Sequence, residues 1–129
     1  MQMITSSELS TFQKRLYWKN SKLKRIKFLY DRVQLAIGFW VITREKPDLK
    51  KVLLQLEVGS VHEFRFQQRP IPIRTQLDNV SMAFLQSKFY IDWNPFELDE
   101  KPELMDFRAS EFYIGGYELK YSIKPLTKN

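Results

Sequence analysis

Leu9, Phe12 and Leu16 recur at helical spacing while Gln13, Lys14 and Arg15 fall largely on the other side, a pattern that predicts an amphipathic helix to about Trp18. Thr5 or Ser6 followed by Glu8 has the form of a capping box that starts it, and Asn20-Ser21 is a plausible stop. From Lys24 two periods compete. Ile26, Tyr30, Val33, Ile37 and Trp40 suit a helix, whereas Val33, Leu35, Ile37, Phe39 and Val41 alternate. β-branched and aromatic residues dominate Val33 to Thr43; they lose rotamer freedom in a helix and pack well on a pleated surface, so a strand is expected. Ala36, Gly38, Trp40 and Ile42 make its second face apolar too, as in a central strand.

Two alternating runs follow. Val52, Leu54, Leu56 and Val58 lead to Gly59-Ser60, and His62, Phe64 and Phe66 lead away, which reads as a hairpin. A two-residue turn would pair Leu56 with Glu63 on one face, so a three- or five-residue connection or a bulge is expected there. Pro70 and Pro72 interrupt pairing, Asp78 is placed to cap a short helix carrying Val80, Phe84 and Leu85, and Phe89, Ile91 and Trp93 alternate as a strand. Pro95 and Pro102 mark a loop. A final hairpin is expected from Arg108 to Ile123 with Gly115-Gly116 as its turn, pairing Ile114 with Tyr117, Phe112 with Leu119, Ser110 with Tyr121 and Glu111 with Lys120. The predicted fold is α+β: an N-terminal helix plus a mostly antiparallel β-sandwich or small, partly closed β-barrel of about six or seven strands.

At 129 residues and 43% hydrophobic, the chain is expected to form one domain, residues 1–129. Cysteine is absent, which excludes disulfides, thiolate metal sites and thiol catalysis. The N-terminus lacks the basic start and apolar run of a signal peptide, and the most apolar stretch, Val33 to Ile42, is far short of the ~20 residues that span a bilayer. A cytoplasmic protein without a membrane partner is therefore expected.

Charge supplies the sharpest functional signal. Lys and Arg number 21 against 15 Asp and Glu, a formal +6, and much of the excess lies between Thr11 and Tyr30. There Lys14, Arg15, Lys19, Lys22, Lys24, Arg25 and Lys27 meet no acidic residue. Such a tract favours an anionic partner. Tyr17 and Trp18 are neighbours that cannot both point inward from a helix, so one of them is a candidate to stack on a base. Arg65, Arg69 and Arg74 form a second basic group around the prolines. The reading is a small regulatory nucleic-acid-binding protein, with RNA favoured over DNA because exposed rings suit unpaired bases.

The alternative is an adaptor or assembly subunit whose basic tract meets an acidic protein or an acidic segment. Between Asp92 and Glu111 seven acidic residues stand against Lys101 and Arg108, and the acidic loop from Glu97 to Asp106 within this stretch can fold back on the tract or bind a second copy to form a homo-oligomer. An enzyme is not expected. His62 is the one histidine, and in the hairpin register it packs on the apolar face near Val58. Asp99, Glu100, Glu103 and Asp106 lack the glycine-punctuated spacing of a calcium loop, and no glycine-rich phosphate loop exists; neither metal nor cofactor is expected.

Overall fold

The computed structural model describes residues 2–17, 21–23, 39–43, 50–66, 75–77, 80–93, 101–110 and 112–125. Among them are the strands β1 (Gln2–Met3), β2 (Leu16–Tyr17), β3 (Ser21–Leu23), β4 (Phe39–Thr43), β5 (Lys50–Phe66), β6 (Thr75–Leu77), β7 (Ser81–Leu85), β8 (Lys88–Asp92) and β9 (Phe112–Pro125). All belong to one antiparallel sheet ordered β6-β3-β4-β5-β9-β8-β7, with β1 on β9 and β2 on β4, and its path does not close. With the helices α1 (Leu9–Arg15) and α2 (Leu104–Arg108), the architecture is α+β.

Leu9, Phe12 and Leu16 are buried, as their spacing predicts. A 3-10 turn, Ser6–Glu8, leads into α1, and the Glu8 N–H donates to the Thr5 carbonyl at 3.0 Å. The expected capping box does not form: the Thr5 hydroxyl shares a 3.1 Å hydrogen bond with the Ser7 hydroxyl instead. The helix also stops early, because Leu16 and Tyr17 pair with Thr43 and Ile42 of β4. The expected strand is present at β4; residues 33–38 lie outside the described residues.

Neither of the two glycine-marked turns is a turn. β5 runs on through Gly59 and Ser60, and the parity conflict is resolved by a bulge between Val61 and Glu63, with Ser60 at φ 49°. His62 is the extra residue of that bulge and is exposed, not packed beside Val58. β9 likewise passes straight through Gly115-Gly116, so the expected pairs Ile114–Tyr117, Phe112–Leu119 and Ser110–Tyr121 do not form; Glu111, of the expected pair Glu111–Lys120, lies outside the described residues. Gly115 pairs with Glu63 and Tyr90, and Gly116 with Val61 and Phe89. The physical reason is close approach. A Cβ on Gly115 would lie 2.5 Å from Tyr90 Cε1, and one on Gly116 would lie 2.5 Å from Val58 Cγ1 and 2.9 Å from the Gly59 carbonyl oxygen. Two unbroken long strands replace two hairpins, so the described residues form one sheet and not two packed ones.

The true short hairpin is β7–β8, where a helix had been expected from Val80, Phe84 and Leu85. Gln86 and Ser87 supply its turn at φ 51° and 64°, the sign that type I′ turns require. Within the expected 92–111 loop the chain forms α2, started by a capping box in which Glu103 and Asp106 each bind the other's backbone.

β8 shows why the sheet has two buried faces. Phe89, Ile91 and Trp93 join Ile4, Leu9, Phe12, Leu16, Leu56 and Ile114 in the larger core on the α1 side, while Tyr90 joins Phe107 of α2 and Tyr113 on the other. Gln13 Nε2 donates to the Val80 carbonyl at 3.3 Å and ties α1 to the start of β7.

Candidate functional site

Lys14 is exposed on α1, away from buried Leu9, Phe12 and Leu16. Arg15 ends α1, Tyr17 lies in β2, and Lys22 lies in β3 opposite Gln76. β2 and β3 both pair with β4, so Tyr17 and Lys22 lie on strands that flank one strand, while Lys14 and Arg15 belong to α1. Trp18, Lys19, Lys24, Arg25, Lys27, Arg69 and Arg74 lie outside the described residues.

Arg65 is the one member of the second basic group that is described, and it belongs to a different place. Its Nη1 donates to the Arg108 carbonyl at 2.9 Å and the Ser110 carbonyl at 3.4 Å, and its guanidinium carbon sits 5.9 Å from the Tyr113 ring centroid. These contacts place it in a polar cluster on the α2 face. Arg108 Nε and Nη2 donate to the two Glu63 oxygens at 2.9 and 3.1 Å, a two-point fork between α2 and the bulged part of β5. Tyr113 donates its hydroxyl to the same carboxylate at 3.3 Å, and His62 Nε2 stands 3.9 Å from it. Deeper in, the Ser110 hydroxyl donates to Asp92 at 2.6 Å. Tyr90 is fully buried, and its hydroxyl has no hydrogen-bond partner.

The electrostatics follow from this geometry. The Arg108 hydrogen bond holds the Glu63 carboxyl below its ordinary range, and the same bond raises the Arg108 guanidinium. Burial, then the charge of Glu63, pushes the phenols of Tyr90 and Tyr113 upward. Near neutral pH the cluster therefore holds a fixed ion pair beside two neutral phenols. At its rim Tyr117 is exposed, with Lys88 Nζ 5.6 Å from its ring centroid and the His62 ring edge-on at 6.2 Å.

The chain matches no family model, no curated protein and no solved structure. Its geometry alone bears on function. Among the described residues no group of three or more acidic, histidine or cysteine side chains could hold a metal ion, and no helix is long and apolar enough to cross a membrane. Apart from Arg65, the α2-face cluster escaped the sequence reading. Glu63 and Arg108 are 45 residues apart and meet only through the sheet, while the sequence pairs Tyr117 with Ile114 across an expected glycine turn that does not form.

Proposed function

We propose that the protein binds nucleic acid, RNA in preference to DNA, through the basic N-terminal tract. The observation that carries this is seven cations without an acid between Thr11 and Tyr30, with Lys14 set on the exposed side of a helix whose other side is buried. The rival reading is neutralisation by the acidic loop from Glu97 to Asp106 of the same or a second chain; of that loop Glu103 and Asp106 are engaged at the start of α2, and residues 97, 99 and 100 lie outside the described residues. In this reading Lys14, Arg15, Lys19, Lys22, Lys24, Arg25 and Lys27 meet phosphates and Tyr17 or Trp18 meets a base. We also read the open sheet as the wall of a partly closed barrel, since the bulge in β5 increases local twist; straight, flat β5 and β9 in an experimental structure would rule this out.

The test is fluorescence anisotropy with mixed RNA and DNA oligonucleotide pools across a salt series. Affinity that falls steeply with salt, and that drops when Lys22, Lys24 and Arg25 are replaced together by glutamine, is the expected result. Absent or salt-insensitive binding would end the proposal.

A further inference from the structure

Tyr117 is a large ring left about half exposed (49%) on a strand, and three strands converge on it. The β8–β9 register pairs Phe89 with Gly116, so Lys88 and Tyr117 occupy the next rung, and the Lys88 ammonium stands 5.6 Å from the ring centroid. From β5 the bulge turns out His62, whose ring meets Tyr117 at 6.2 Å and 78°, an edge-to-face contact. A tyrosine so held has little freedom left to lose when a ligand arrives, and it stands on strands, not on a loop. A single exposed tyrosine would need no explanation. This one is accompanied by a lysine that makes no ion pair among the described residues and by an exposed histidine, while the carboxylate beside that histidine, Glu63, is already bound by Arg108. The neighbourhood thus presents an aromatic ring with an ammonium over it, a cation that can turn from the ring to a phosphate when a base takes its place.

We propose that Tyr117 is a stacking platform for one unpaired nucleobase, with Lys88 and His62 set to meet the phosphate beside that base. The inference rests on the nucleic-acid reading above and adds a second contact point, on the α2 side of the sheet. A base must be unpaired to lie flat on a side-chain ring, so single strands are selected over duplex. Both RNA and single-stranded DNA present such a base.

The experiment measures anisotropy of labelled single-stranded RNA, the same sequence as DNA, and the RNA duplex, using the full chain. Tyr117→Ala is expected to weaken single-strand binding about 5- to 100-fold with the salt slope unchanged, while Tyr117→Trp retains affinity. Lys88→Gln, a surface change, is expected to weaken binding and to lower the salt slope by about 0.7. Thermal melts of each variant separate loss of stacking from loss of fold. If the natural chain binds single strands and Tyr117→Ala and Lys88→Gln bind equally well, this inference fails while the basic tract stands. If the natural chain binds neither single strands nor duplex, both fail, and duplex binding as tight as single-strand binding, or tighter, overturns the stacking inference alone.

Discussion

Gly116 lies where β5 and β9 approach closely, with the Val58 methyl and the Gly59 carbonyl in the space a side chain would take. Gly116→Ala must therefore move backbone as well as a methyl group, and it is expected to cost about 1–3 kcal/mol, read as a lowered urea midpoint with an unchanged slope. Its neighbour Gly115 faces the buried Tyr90 ring, so the pair serves packing and not turning. Glu63 gives a second measurable consequence. Its folded-state pKa is held below the usual 4.5 by Arg108, so the stability it supplies is present above the unfolded value and is lost as pH falls through the folded one. Glu63→Gln is expected to cost at most about 1 kcal/mol at neutral pH, since Arg108 is half exposed, and to flatten the fall in stability on acidification below about pH 4.5. Equal acid sensitivity in both chains would show that the fork contributes nothing.

The elements of the β7–β9 region depart most from their local pattern. Val80 and Leu85 pack on opposite faces of this part of the sheet and Phe84 is an exposed ring beside Phe89, so the apolar positions do not keep the alternation that marks a strand. Gln86-Ser87 is a poor advertisement for a tight turn, because non-glycine residues in the left-handed region cost energy that glycine avoids. Ser87→Gly is accordingly expected to stabilise the fold by about 0.5–1 kcal/mol, visible as a higher melting temperature; an unchanged or lower value would mean that the lost chain entropy offsets the relief of strain. By contrast α2 carries its own start signal in Glu103 and Asp106, which lay hidden inside a proline-marked acidic stretch.

For the whole molecule, charge distribution is the property most directly tied to the proposed function. Replacing Lys22, Lys24 and Arg25 together removes three phosphate contacts in that proposal, so the slope of log affinity against log salt for single strands is expected to fall by about 2. A slope unchanged by the triple replacement would place the contacts elsewhere. The sequence by itself determined what is local: the amphipathic N-terminal segment whose Leu9, Phe12 and Leu16 are buried, the strand at Phe39–Thr43, the parity conflict near Gly59 that called for a bulge or an odd-length connection, and the basic tract. These follow from period, propensity and charge, which neighbouring residues carry among themselves. Only the tertiary structure decided that Gly115-Gly116 pass between a ring and a carbonyl, that Glu63 and Arg108 meet across the sheet, and that Tyr117 stands exposed between His62 and Lys88. Each of those depends on strands brought together from distant parts of the chain, and no local period records which strands become neighbours.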